Sequence, residues 1–199
     1  MRPVNKSRTS TSSTAVFLVG FMGAGKSSVG RALGQRLNWI FEDLDDRIEQ
    51  HERRRVAEIF RDSGEDPFRR AENLALQQAL EQLRGGVSRI IALGGGAFAQ
   101  KANVALLKAA DVRTVFLDAP VEELWQRCNK QAEETGAERP LLRDMEQFRK
   151  LYKSRRASYL KASLNIETGS RTVEAIAAEI EQALGLKGID IRTEQGEVE

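Results

Sequence analysis

The sequence is poor in the residues that build several common kinds of protein. It has one cysteine, Cys128, so no disulfide can form within the chain and nothing calls for an oxidising compartment. The expected location is the cytoplasm. It also has one histidine, His51, which puts zinc sites assembled from several His and Cys ligands out of reach; a metal, if used, must be held by oxygens. His51 lies in the run HERRR, where the plain reading is a solvated helix end without the oriented partner a catalytic imidazole needs. Charge of one sign is scarce too. With 31 Lys and Arg against 29 Asp and Glu, the net charge of +2 is too balanced for a chain devoted to nucleic-acid phosphates. No apolar run approaches the ~20 residues that span a bilayer. Neither nucleic acid nor membrane is an expected partner.

What is present is ordinary for a globular protein: 41% hydrophobic and 30% charged residues over 199 positions. A chain of this length buries roughly 70% of its extended surface, enough for one domain with its own core. Residues 1–14, MRPVNKSRTSTSST, are Ser/Thr-rich and basic but lack the apolar segment of a secretory signal, and they are expected to be a disordered leader. Residues 187–199 form a charged tail without periodicity, also expected to be disordered, which leaves one domain over 15–186. Within it, short apolar runs alternate with helical patterns. Strands are expected at 15–20, around 39–42, around 89–93, at 113–118 and at 164–167, with two or three helical segments between Asp46 and Leu83. Helix-like spacing puts Val29, Leu33 and Leu37 on one stripe. Strands so often separated by helices imply right-handed crossovers, hence an α/β fold with a mainly parallel sheet and ligands at the carboxyl ends of its strands.

The decisive motif is GFMGAGKS, from Gly20 to Ser27, which fits G-x-x-x-x-G-K-[ST] between a strand and a helix. Chance gives that four-point match in roughly 1% of chains of this length, before the strand and helix are considered. Gly20, Gly23, Ala24 and Gly25 would let the backbone turn its N–H groups onto phosphate oxygens at a helix N-terminus. Lys26 adds a full charge, Ser27 offers a hydroxyl to Mg²⁺, and Ser28 follows in the same turn.

A phosphate loop serves switches, motors and kinases alike. The tetrad Asn129-Lys130-Gln131-Ala132 fits the guanine-reading pattern of GTPases only up to Ala132, where Asp is required, and no second ATPase domain or basic face suits a motor. A small kinase remains. Asp43 and Asp45 follow the second strand two residues apart, a spacing that projects both to one side and could divide metal holding from proton acceptance. Asp46 with Glu49 has the spacing of a helix cap. Arg69 could hold a carboxylate beside Phe68, or simply pair with Glu72 on its helix. Gly94, Gly95 and Gly96 end the third strand, where bare backbone can approach a ligand. Residues 128–143, polar and stopped by Pro140, suit a mobile lid that excludes water and carries Arg139 to the moving phosphoryl group. Arg155 and Arg156 are either a second anion clamp or exposed charge.

GFMGAGKSS, FEDLD, IFRDSGEDPFRRAE, ALGGG, ERPLL and SRRASY, in that order, together resemble the shikimate kinase family over nearly everything from Ala15 to about Leu184. The resemblance implies a P-loop kinase of the nucleoside-monophosphate-kinase type: a three-layer α/β/α domain with a five-stranded parallel sheet ordered 2-3-1-4-5. It implies phosphoryl transfer from ATP to the 3-hydroxyl of shikimate, with Mg²⁺ as cofactor and these two small molecules as partners; a monomer is expected. On the matching positions, Asp45 would contact the ring hydroxyls and serve as base, and Asp43 would hold Mg²⁺ through water. Arg69, steadied by Glu72, and Arg155 would clamp the carboxylate; Gly95, between Gly94 and Gly96, would meet a ring hydroxyl; Phe60 and Phe68 would wall the ring. Arg139 would reach the phosphates, and Arg127, with Arg171 beyond it, would flank adenine.

Departures from the family pattern fall in four places. Ala157-Ser158 stands before Tyr159 where Pro-Leu is frequent, so Arg156 competes with Arg155 for the clamp, the spacing to Tyr159 favouring Arg155. The expected lid is several residues long for the family. IETGSR lacks the Asp and Pro common around the adenine loop, and Ser28 stands where Thr is frequent.

Overall fold

Five consecutive apolar residues, AVFLV, cannot leave one face to water, and they form β1 (Ala15–Val19), buried throughout at the centre of the sheet. The structure, a computed structural model, describes residues 14–135 and 144–189. Around β1 lie β2 (Ile40–Asp43), β3 (Arg89–Ala92), β4 (Arg113–Asp118) and β5 (Leu164–Glu167), in the order β2-β3-β1-β4-β5, every neighbour parallel. The helices that parallel pairing requires are α1 (Lys26–Leu37), α2 (Leu44–Glu52), α3 (Val56–Ser63), α4 (Glu65–Gln82), α5 (Lys101–Ala109), α6 (Val121–Thr135), α7 (Met145–Tyr159) and α8 (Val173–Leu184). On α1 the stripe Val29, Leu33 and Leu37 is buried, as its spacing predicts. Phe17, Leu18, Ile90, Ile91, Val115 and Phe116 are inaccessible to solvent, so both faces of the three central strands are covered.

The register aligns the ends that matter. Asp43 stands opposite Ala92, and Val19 opposite Phe116. The phosphate loop after β1, the acids after β2, the glycines after β3 and Asp118 at the end of β4 therefore emerge on one edge, where parallel sheets receive ligands.

Four local expectations change. β2 runs one residue later than read, because Asp43 both closes the strand and caps α2: its side chain accepts the Asp45 N–H at 3.1 Å. Asp46 is thus not the cap but lies in the first turn, and Glu49 accepts the Val56 N–H instead, at 2.8 Å. The first part of the expected lid, from Cys128, is helical, since NKQAEE contains good helix formers and α6 continues to Thr135; the rest, with Arg139, lies outside the described residues. Contacts of the domain reach past 15–186. Thr14 accepts the Arg89 N–H at 3.1 Å, and Ile189, in the segment read as tail, donates to the Leu37 carbonyl at 2.9 Å. The remainder of the leader and tail, residues 1–13 and 190–199, lies outside the described residues.

Candidate active site

The loop between β1 and α1 is pressed onto α6. Gly23 has φ of 78°, and a Cβ there would lie 2.7 Å from the Leu124 carbonyl oxygen and 2.9 Å from the Cys128 Sγ, so both conformation and space demand glycine. Ala24 is buried and can offer a nucleotide only its backbone, while Ser28 is exposed toward the cavity. Lys26 Nζ donates across its own loop to the carbonyls of Gly20 at 3.0 Å and Phe21 at 3.1 Å. Ser27 Oγ donates to Asp43 Oδ2 at 2.7 Å, while the other oxygen of Asp43 is fixed by its capping bond. A hydroxyl and a carboxylate held this close, both hard oxygen donors beside a phosphate loop, fit Mg²⁺.

These groups open into a cavity of about 580 Å³ lined by Gly23, Gly25, Lys26, Ser27, Asp43, Asp45 and Gly95 among others. Asp45 Oδ1 is buried and has no hydrogen-bond partner among the described residues. Burial raises the Asp45 pKa to about 7; the negative charges of Asp43, Glu72 and Glu49 add to the rise and Lys26 opposes it. Gly94 makes this packing possible, for a Cβ on it would sit 2.6 Å from Asp45 Oδ1.

The cations take distinct places. Arg69 pairs with Glu72, at 3.0 Å, and with Glu65, at 2.9 Å, and lies over the rings of Phe68 and Phe60 at 5.2 and 5.8 Å. Those rings are in contact, with centroids 4.4 Å apart; Phe68 is buried and Phe60 exposed. Glu72 is inaccessible to solvent, and burial raises its pKa against the pull of Arg69 and Arg155. A Cβ on Gly96 would strike the Arg69 guanidinium at 2.6 Å, whereas one on Gly95 would meet nothing closer than 3.6 Å, so only the middle glycine is open.

Arg155 and Arg156 point in different directions, and neither lines the cavity. Arg155 donates to the Gly95 carbonyl at 3.3 Å and lies 5.9 Å from the Phe21 ring centre. Arg156 turns away, onto Asp118 Oδ2 at 2.6 Å and the Tyr152 hydroxyl at 3.2 Å. Arg127 lines the cavity and bonds the carbonyl of Thr168 at 2.9 Å and the side chain of Glu123. Arg171 does not line it, being held by the Glu167 carbonyl and by Glu179.

Sequence reasoning missed Arg31, which lines the cavity one turn beyond Ser27 and lies 5.3 Å from the Phe41 ring centre. Its i+4 spacing from Ser27 was the available signal. Gln131, from the tetrad that failed the guanine test, also lines the cavity. Tyr159 donates its hydroxyl to the Gly95 carbonyl, a contact no sequence pattern announces.

Comparisons with known proteins agree with this fold. The family model described as Shikimate kinase matches residues 22–185. A shikimate kinase of Cereibacter sphaeroides is 37% identical over 183 residues, covering 90% of this chain and 87% of that one. One of Geobacter metallireducens is 40% identical over 168 residues, covering 83% and 88%. The solved structure of shikimate kinase from Acinetobacter baumannii in complex with shikimate aligns with a TM-score of 0.77 at 32% identity, covering 87% of this chain and 94% of that one.

Proposed function

The chain belongs to the shikimate kinase family and phosphorylates shikimate with ATP, and we propose that the transfer, to the 3-hydroxyl, takes place in the cavity beside the phosphate loop. The observation that carries this reading is the buried Asp45, whose Oδ1 has no hydrogen-bond partner among the described residues, lining the same cavity as Lys26 and the Ser27–Asp43 pair.

Asp45 orients the 3-hydroxyl and takes its proton as the oxygen bonds to the terminal phosphorus of ATP; the bond to the bridging oxygen breaks and ADP leaves. Lys26 turns from the loop carbonyls to the phosphates, and Gly23, Ala24, Gly25, Ser27 and Ser28 bind them through the loop. Ser27 and Asp43 would hold Mg²⁺, which would neutralise charge on the outer phosphates. Arg139, matched to the family by its ERPLL motif, completes the phosphate contacts. Arg127 flanks adenine with the 168–170 turn, to which it is bonded, and Arg171 borders that turn. On the acceptor side, Arg69 and Arg155 clamp the carboxylate across Gly95, and Phe60 with Phe68 walls the ring. The reading of a cytoplasmic protein rests on the single cysteine. Among the described residues no helix is long and apolar enough to cross a membrane.

The test is ADP release measured in parallel with shikimate and with gluconate, another hydroxylated acid. Release that depends on shikimate alone is expected; equal release with both acids, or none with shikimate, rejects the assignment. The clamp has its own test. Arg69→Ala would strand the buried Glu72 charge and confuse binding with folding, so Arg69→Lys is the better probe. Lysine keeps the charge but not the planar fork, and the KM for shikimate should rise about tenfold or more with turnover little changed. An unaltered KM removes Arg69 from the clamp.

A further inference from the structure

Four residues of α7, Tyr152, Arg155, Arg156 and Tyr159, fall on one stripe of the helix by their spacing, and all four are bonded to the ends of the sheet. The two oxygens of Asp118, the last residue of β4, are used separately: Oδ1 accepts from the Tyr152 hydroxyl at 2.7 Å and Oδ2 from Arg156 at 2.6 Å. Arg156 Nε also reaches the Tyr152 hydroxyl at 3.2 Å, which closes the three groups into a ring. One turn further on, Tyr159 is tied to the Gly95 carbonyl after β3. Between these anchors sits Arg155, on the same carbonyl. We propose that Asp118 is a positioning residue for substrate recognition: through Tyr152 and Arg156 it sets the rotation of α7 about its axis and so aims Arg155 at the substrate carboxylate.

The inference rests on the carboxylate clamp proposed above, and its force comes from lever length. A helical side chain ends ~6 Å from the axis, so a 10° rotation of α7 moves the guanidinium by ~1 Å. Misplacement by ~1 Å can cost a reaction ~100-fold. Phe148, packed on Phe21 and Trp125, and Tyr159, packed on Phe116, seat the helix on the core. The pair of bonds to Asp118, 4 residues apart on α7 and on different oxygens, adds a directional tie beside Arg155 that apolar packing does not supply. An ordinary surface ion pair is the competing description. It accounts for one bond from Arg156, whose side chain is 43% exposed, but not for a carboxylate shared between two residues of the helix that bears the clamp.

The exposure of Arg156 also makes it a suitable probe, since losing a partly exposed ion pair costs little stability. In Arg156→Met, the KM for shikimate should rise 5- to 20-fold while kcat and the KM for ATP stay within twofold. The discriminating arm is the methyl ester of shikimate, which lacks the negative charge that Arg155 would meet. Its kcat/KM should be unchanged, so the preference for acid over ester falls by the same 5- to 20-fold. Arg156→Lys should recover part of that preference, and Asp118→Asn, which keeps an acceptor for Tyr152, should move it in the same direction as Arg156→Met. Equal losses for acid and ester, or an unmoved KM for shikimate, would overturn the proposal. Failure of the parent protein to consume shikimate would instead overturn the functional reading beneath it.

Discussion

Replacing Asp45 by Asn is expected to lower turnover by about 10²- to 10⁴-fold, the range for a lost general base, while leaving ATP binding nearly intact. Asparagine is nearly isosteric, so it fits beside Gly94; what it lacks is the capacity to take the hydroxyl proton. Initial rates together with nucleotide titration check both halves, and unchanged turnover rejects the role. The same residue governs two pH effects. With its pKa raised to about 7 in the free protein, kcat/KM for shikimate should fall tenfold per pH unit below that value as the base becomes protonated. Stability should move the opposite way. The folded protein holds the Asp45 proton more tightly than the unfolded chain, whose carboxyl titrates near 3.8. Above pH 7 the buried charge therefore destabilises the fold, and the penalty is relieved as pH falls from 7 toward 4. Asp45→Asn should accordingly raise Tm by several degrees at pH 8 and by little at pH 4.

Lys26→Met is expected to lower kcat by about 10²- to 10³-fold, the loss typical of one preorganised charge at a transition state. It should weaken ATP binding as well, because Lys26 also braces the loop through the Gly20 and Phe21 carbonyls. Arginine should not rescue it: a guanidinium is planar and larger than the ammonium that the loop encloses. Steady-state rates and nucleotide titration of the two variants decide the matter, and a kcat within tenfold of the parent counts against the assignment.

The phosphate loop and the strands β4 and β5 are legible because their signals are local: a glycine pattern and short β-rich runs with clear ends. The cap of α2 differs from the reading because spacing alone suits Asp46 with Glu49 as well as Asp43, and only the start of the helix at Leu44 decides between them. Arg155 and Arg156 are adjacent in sequence and indistinguishable by composition; what separates them is Asp118, 38 residues from Arg156. Arg31 looks like surface charge until Phe41 and the cavity are seen beside it. Arg171 follows the opposite course, since its motif position suggested adenine while Glu179 on α8 holds it. For Arg155 and Arg156 the deciding partner is distant in sequence; for the cap, Arg31 and Arg171 it is close in sequence, and what the sequence lacks is the direction in which the chain turns.

The lone cysteine, first notable for the chemistry it forbids, forms the floor under the phosphate loop. Cys128 is inaccessible to solvent, and its sulfur packs where even a methyl group on Gly23 would not fit. A thiol sealed in this way is inert packing, and it leaves Gly23 room for nothing but the bare backbone that the phosphate loop needs.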